Sequence, residues 1–325
     1  MKLAVMGVGA VGSSVVALAA EYGHTVVAVA DSQSAAVDAD GLSSNDVLAR
    51  KRDEGTVGTE SPTEALTADY DVLVEATPTT LGDAEPGFTH LQTALEHDRH
   101  VVLANKGPVA ERYAEIRALE SESAGHLRFE ATVGGAIPVI STIEDIGSNQ
   151  ISAVRGVLNG TANFILSRMA AEGLAYEHVL AEAQDLGVAE ADPTFDVEGT
   201  DAALKGVIIA NVLATTDEGS WSETADGAYS LSDATVAGIS DLPTSALELA
   251  REDGRTIRLI CEVGDEGVRV GPRLVAENSA MAVSGTQNIV QFETANAGSL
   301  YNSGRGAGGP DTASAIFADI NRLPE

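Results

Sequence analysis

The chain has 325 residues and sets 49 Asp and Glu against 19 Lys and Arg, a formal charge of −30. That balance argues against nucleic-acid or anionic-membrane partners, which select clustered basic charge. The acids are spread along the whole length and the lysines are only Lys2, Lys51, Lys106 and Lys205, the pattern of a halophile surface whose self-repulsion concentrated salt screens.

In chain order, residues 2–6 read as a short apolar strand, Gly7 to Gly12 as a turn, 10–21 as an apolar-rich helix and 25–30 as a second strand, one βαβ unit. The stretch from Lys2 to Ala20 superficially resembles a secretory signal, but its spaced glycines between strand and helix have no use in a signal core. No run of 18 apolar residues occurs elsewhere, so no membrane span is expected. Further buried strands are predicted at 71–76, 100–103 and 127–130, with helices at 88–96 and 109–122 between them. Short apolar strands alternating with helices define a doubly wound parallel sheet, an α/β domain over residues 1–132.

A second, α+β domain is predicted over 133–303, with a strand at 154–158, helices at 161–172 and 176–186, and a long apolar helix from Thr200. Residues 215–255 are acidic and carry no motif. Cys261 lies in a strand-like run and is the only cysteine, so no intrachain disulfide is possible and a reducing, cytoplasmic compartment is expected. Residues 304–325, a glycine-rich loop and a helix at 312–320, are expected to return to the first domain.

The GxGxxG pattern of Gly7, Gly9, Ala10, Val11 and Gly12 lies between strand and helix. There glycine permits the tight turn and the approach of a pyrophosphate to a helix N-terminus, a Rossmann-type dinucleotide site. Asp31, 19 residues after Gly12 at the end of the second strand, is placed to accept from a ribose 2′-hydroxyl. Its charge would repel a 2′-phosphate, which favours NAD, whereas Arg50-Lys51-Arg52 offers a phosphate-binding alternative or a solvated helix end.

Asp201 and Lys205 are spaced i,i+4 on a helix otherwise free of charge nearby, so the pair either faces a cleft or forms an ordinary surface bridge. Glu190 and Asp196 lie in a Pro-bearing acidic loop just upstream, suited to a substrate ammonium or to mere solvation. Lys106 follows the strand at 100–103, at the carboxyl end of the sheet, where open α/β sheets bind ligands. The histidines show no metal spacing and GxSxG and CxxC are absent, which leaves metal-hydrolytic and serine-nucleophile chemistry without parts.

These residues, together with Glu75-Ala76-Thr77-Pro78, Glu85-Pro86-Gly87, Ala104-Asn105-Lys106-Gly107-Pro108, Glu130-Ala131-Thr132-Val133-Gly134-Gly135, Leu158-Asn159-Gly160-Thr161 and Thr312-Ala313-Ser314-Ala315, resemble the homoserine dehydrogenases over nearly the whole chain. The resemblance implies interconversion of homoserine and aspartate semialdehyde with NAD or NADP. It implies that Lys106 and Lys205 approach the reacting oxygen, that Asp201 orients Lys205, and that Glu190 and Asp196 hold the substrate amino group. Gly160 and Thr161 would line the pocket, and Thr77 and Lys106 would meet the cofactor. A monovalent cation, Na+ or K+, would be held by Glu130 and the carbonyls of Val133, Gly135 and Ile137. A homodimer through the second domain is implied too. Val188 and Asp311 depart from the family, which usually has an aromatic residue and a proline there. The chain stops at Glu325, so feedback by threonine through a C-terminal regulatory domain is not expected.

Two rivals remain at this point. A semialdehyde-oxidising relative needs a thiol nucleophile, for which Cys261 is the sole candidate. A non-catalytic dinucleotide sensor would leave the lysines and carboxylates unexplained. The charge pattern itself makes a prediction: the melting temperature should rise from dilute buffer to molar KCl. A melting temperature indifferent to salt removes the halophile reading.

Overall fold

The computed structural model describes residues 1–215 and 228–324, so part of the motif-poor 215–255 stretch lies outside the described residues. The chain divides into two compact units, one formed by Met1–Ala136 with Ala307–Glu325 and the other by Ile137–Gly306.

The first unit runs β1 (Lys2–Met6), α1 (Ala10–Leu18), β2 (Thr25–Ala30), β3 (Ala35–Val37), α2 (Ser44–Glu54), α3 (Pro62–Leu66), β4 (Val72–Glu75), α4 (Gly87–Glu96), β5 (His100–Leu103), α5 (Gly107–Glu111), α6 (Tyr113–Ser121) and β6 (Leu127–Arg128). Its sheet has the order β3-β2-β1-β4-β5-β6. The interiors of the central strands are apolar because both faces are covered: Leu3, Val5, Val72, Val74 and Val102 are fully buried in one core with Val15 and Val16 of α1. β1 lies between β2 and β4, parallel to both, so the strand order reverses direction beside its carboxyl end.

Three expectations for this unit need correction. The sheet is not wholly parallel, since β3 pairs antiparallel with β2. The cause is local: Asp31 Oδ1 accepts from the backbone N–H of Gln33 at 2.8 Å and of Ser34 at 2.7 Å, folding the chain back on itself. The helix expected over 109–122 is two helices that break at Arg112, whose guanidinium covers the Phe88 ring and pairs with Glu115. The strand expected at 127–130 ends early in a 3₁₀ turn, Glu130–Thr132, because the Glu130 N–H donates to Asp319 Oδ2 at 2.8 Å instead of extending the ladder.

The second unit contains α7 (Ile140–Ile146), β7 (Ile151–Val157), α8 (Gly160–Glu172), α9 (Tyr176–Asp185), α10 (Thr194–Val197), α11 (Thr200–Thr215), β8 (Thr235–Val236), α12 (Thr244–Glu252), β9 (Arg255–Gly264), β10 (Gly267–Ala276), β11 (Gln287–Thr294) and β12 (Gly298–Arg305). Its sheet, ordered β12-β11-β7-β9-β10-β8, is antiparallel except for the short β10/β8 pairing. Ala202 to Ala210 of α11 are all buried. Gly206 lets this helix lie close to the sheet, for a Cβ there would stand 2.6 Å from Cys261 Sγ and 2.7 Å from Val268 Cγ1. Cys261 is therefore a packing residue, 1% exposed.

The last helix, α13 (Gly309–Ile320), belongs to the first unit. It starts at Gly309, three residues before the expected 312, so the glycine-rich loop expected from residue 304 is shared between the end of β12 and the start of this helix. α13 packs on α1, buries Ile316, Phe317 and Ile320, and stacks Phe317 on Tyr22 with ring centroids 4.2 Å apart.

Candidate active site

In the first unit the chemistry collects at the carboxyl edge of the sheet. Gly7 has φ of +96°, and a Cβ on it would stand 2.5 Å from the Ala76 carbonyl oxygen; a Cβ on Gly12 would overlap the Gly7 carbonyl oxygen at 1.8 Å. Both positions hold the loop hard against its neighbours. Gly9 is different: it caps α1 without a side-chain hydrogen bond, and a Cβ there would meet nothing within 4 Å. The uncapped helix start thus faces open space at Gly9, a setting that suits an anionic group such as a pyrophosphate.

Asp31 stands at the end of β2, but it is committed to protein partners. Its Oδ1 takes the two N–H groups of the turn and the Ser34 hydroxyl at 3.1 Å, while Oδ2 pairs with Lys51 Nζ at 2.8 Å. Burial pushes the Asp31 acid upward, but the Lys51 bond, the two N–H groups and the Ser34 hydroxyl outweigh it and hold the carboxyl below its usual range. The basic triplet therefore separates. Lys51 neutralises Asp31, Arg50 pairs with Glu54 and Arg52 with Asp53.

Glu75, at the end of β4, is fully buried. Its carboxylate accepts from the Thr77 N–H at 3.0 Å, from the Thr77 hydroxyl, and from Asn105 Nδ2 at 3.5 Å, and its Oε2 lies 2.6 Å from His90 Nδ1. Asn105 continues the network: Nδ2 donates to Thr77 Oγ1 at 3.1 Å and the Pro78 carbonyl at 3.3 Å, and Oδ1 accepts from the Gly107 N–H at 2.9 Å. One buried carboxylate and one amide thereby tie the loop after β4, with Thr77, to the loop after β5, with Lys106. Glu130, beyond β6, is buried 4.0 Å from Arg322 and beside Asp319. Burial first, and then the Glu130 charge, push the Asp319 acid up to about 7 against the pull of the Glu130 N–H, Arg322 and Arg128. Gly135 follows with φ of +57°. Ile137 opens the other unit.

In the second unit Lys205 and Asp201 are each 7% exposed. Lys205 Nζ donates to Asp201 Oδ2 and to the Leu158 carbonyl, both at 2.6 Å. Asn159 completes the arrangement, its Nδ2 donating to Asp196 Oδ1 at 2.6 Å and Asp201 Oδ2 at 3.0 Å, while its Oδ1 caps α8 by accepting from the Ala162 N–H at 2.8 Å. Thr161 donates to the Val188 carbonyl at 3.0 Å. Gly160 lies tight against Thr286, whose carbonyl oxygen would be 3.0 Å from a Cβ there. Glu190 is exposed on the loop before α10, with its carbonyl accepting from Gln184 Nε2 at 3.1 Å. Lys205, Asp201, Asp196, Gly160 and Thr161 therefore gather around Asn159, and the Cys261 thiol nearby is no nucleophile, since burial pushes it up to about 12 in spite of the Lys205 charge. The thiol-dependent rival loses its only candidate.

Glu75, Asn105 and Asn159 lie in the segments that carry the family resemblance, but the sequence alone assigns them no role. The available signals were an acid closing an apolar strand and an Asn at a helix N-cap. His90 gave no signal, because its partner is 15 residues away in sequence.

An open glycine cradle on a doubly wound sheet, together with a second unit that buries a carboxylate-held lysine, defines an NAD(P)-dependent oxidoreductase. Family models described as "Homoserine dehydrogenase" and "Homoserine dehydrogenase, NAD binding domain" match residues 138–320 and 7–130. The chain is 38% identical to the homoserine dehydrogenase of Methanocaldococcus jannaschii over 338 residues, covering 98% of this chain and 97% of that one. A crystal structure from Archaeoglobus fulgidus with the same family assignment superposes with a TM-score of 0.88 at 40% identity, covering 98% of both chains. A hyperthermophilic archaeal homoserine dehydrogenase in complex with NADPH matches with a TM-score of 0.82 at 25% identity, covering 99% of this chain and 96% of that one. The chain belongs to the homoserine dehydrogenase family. It interconverts homoserine and aspartate 4-semialdehyde with NAD(P), a reaction of amino-acid biosynthesis.

The Glu75 network makes a stability prediction. Glu75→Ala leaves several buried donors without an acceptor, each costing about 1–3 kcal/mol, so chemical denaturation should show a loss of about 3 kcal/mol or more. A loss within about 0.5 kcal/mol, typical of surface positions, contradicts the network.

Proposed function

We propose that Lys205 is the acid–base group of the reaction, on the observation that its buried Nζ is held by two acceptors and no more among the described residues. An ammonium has three donors. With Asp201 and the Leu158 carbonyl taking two, the third is left for the substrate oxygen. In reduction it protonates the alkoxide formed when hydride reaches the aldehyde carbon. In oxidation the neutral amine takes the hydroxyl proton as the hydride leaves the same carbon. NAD(P), when bound, supplies the hydride donor or acceptor. Asp201 orients Lys205 and supports its charge. Asp196, fixed through one oxygen by Asn159, offers the other to the substrate ammonium, joined by Glu190, and Gly160 and Thr161 line that pocket. Lys106 is the nucleotide unit's contribution to the chemistry.

Gly7, Gly9, Ala10, Val11 and Gly12 are proposed to hold the pyrophosphate, with Thr77 and Lys106 toward the reacting half of the cofactor. The slight preference for NAD expected from Asp31 is opposed by the Lys51–Asp31 pair, which offers a contact to either cofactor. The carboxylate suits a ribose hydroxyl and the ammonium suits a 2′-phosphate. A Na+ or K+ ion is proposed at Glu130 with the carbonyls of Val133, Gly135 and Ile137, an oxygen-only donor set suited to a hard cation. Among the described residues no cluster of three metal-ligating side chains exists to favour a transition metal. Exposed Leu300 and Tyr301 on the edge strand β12 support a homodimer through the second unit. Among the described residues no helix is long and apolar enough to cross a membrane. The acidic composition supports work in a salt-rich cytoplasm, where homoserine serves threonine and methionine synthesis.

Lys205→Ala should lower kcat by about 10²-fold or more, with NAD(P) affinity measured by fluorescence titration nearly unchanged. A folded Lys205→Ala enzyme with near-normal turnover sinks the assignment. Lys106→Ala is expected to be comparably severe. At the adenosine end, wild-type kcat/KM for NAD and NADP should lie within roughly tenfold of each other, and Lys51→Ala should shift the ratio toward NAD by roughly tenfold, one lost charge-assisted contact. An unchanged ratio in Lys51→Ala removes Lys51 from cofactor selection.

A further inference from the structure

Basic residues are scarce in this chain, and most are spent on acids. Lys2, Lys51, Lys205 and ten arginines each have a carboxylate within 4.0 Å. Arg251, Arg255 and Arg258 form no such pair among the described residues, yet all three line one cavity of about 290 Å³ in the second unit. α12 supplies Arg251, β9 supplies Arg255 and Arg258, and α8 supplies Ser167. Glu277 is the single acid on its wall.

Arg258 is the most telling of the three. It is 5% exposed, and a buried charge without a counter-charge is disfavoured by desolvation. The fold answers that only with neutral acceptors: Nε donates to the Val283 carbonyl at 2.7 Å, and Nη1 donates to Thr256 Oγ1 at 2.7 Å and the Ile257 carbonyl at 2.8 Å. Its Nη2 has no protein acceptor among the described residues. Ser167 Oγ on the same wall is buried and likewise lacks a hydrogen-bond partner. A planar fork with spare donors, two more guanidiniums and a free hydroxyl form the donor set that recognises a phosphate group.

We propose that this cavity is an oxyanion site of the second unit, taking inorganic phosphate or a small phosphate monoester. The occupant supplies the missing counter-charge for Arg258 and acceptors for Arg251, Arg255 and Ser167. Its volume leaves room for a short carbon chain beyond the phosphate. In a protein of charge −30, long-range repulsion works against any anion, so a local cluster of positive charge is what capture requires.

The test is isothermal titration of the full-length enzyme, saturated with cofactor to close the pyrophosphate site, at fixed ionic strength. The probes are inorganic phosphate and glycerol 3-phosphate. Wild type should bind at least one of them saturably. Arg258→Met should abolish binding, and Arg251→Ser/Arg255→Ser, at two exposed positions, should weaken it by roughly tenfold or more. Tighter binding of the ester than of the free ion identifies an organic phosphate as the occupant, and equal binding identifies phosphate itself. No uptake of either probe by wild type, or equal uptake by the surface pair variant, overturns the proposal.

Discussion

An ammonium group taken out of water is disfavoured by several kcal/mol unless its surroundings replace the lost hydration. In the second unit that demand falls on Lys205, and the answer organises everything near it. Asp201 is one helical turn earlier, so the pair needs no loop to align it. The Leu158 carbonyl comes from the end of β7, and Asn159, the next residue, ties Asp201 to Asp196 while capping α8. The lysine's position is thus fixed by a strand end and two helices at once. Gly206, immediately after it, allows the helix to press onto β9. Packing of α11 and orientation of Lys205 are one constraint.

The first unit solves a mirror-image problem with a buried anion. Glu75 has no exposure, and its acceptors are filled by Thr77, Asn105 and His90 from three separate stretches of chain. A flexible loop at a sheet's carboxyl edge loses conformational entropy when ordered. Here the ordering is offset by hydrogen bonds that have no water to compete with them. Thr77 and Lys106 therefore stand on loops whose bases are cross-tied, while the glycine cradle beside them stays open.

The sequence was most legible where one physical demand dominated. The parallel strands β1, β2, β4 and β5 are continuous apolar runs because helices cover both faces, and the apolar α11 could be read as buried for the same reason. Features set by contacts distant in sequence were not legible. The three-residue β3 has no pattern of its own and exists because Asp31 turns the chain back. β6 ends where Asp319, 189 residues away, captures the Glu130 N–H. The same holds within the candidate site. Lys205 and Asp201 announce themselves by spacing and an uncharged neighbourhood, and the glycines by their motif. The partnership of Asp31 with Lys51 spans 20 residues, so the sequence showed an acid and a basic triplet but not that one cancels the other.

Salt acts unequally on these charges. Many of the arginine pairs are local and lie on partly exposed helix faces: Arg50 with Glu54, Arg112 with Glu115, Arg117 with Glu120 and Arg168 with Glu172. Such pairs contribute about 1 kcal/mol or less each, and concentrated salt screens them. The repulsion among the surface acids, 49 against 19 bases, is screened by the same ions. Lys205 and Asp201 are buried from the ions that do this, so their attraction persists at salt concentrations that silence the surface. A surface whose charges salt screens and a site that is shielded from it can therefore coexist in one chain, because burial separates the two regimes.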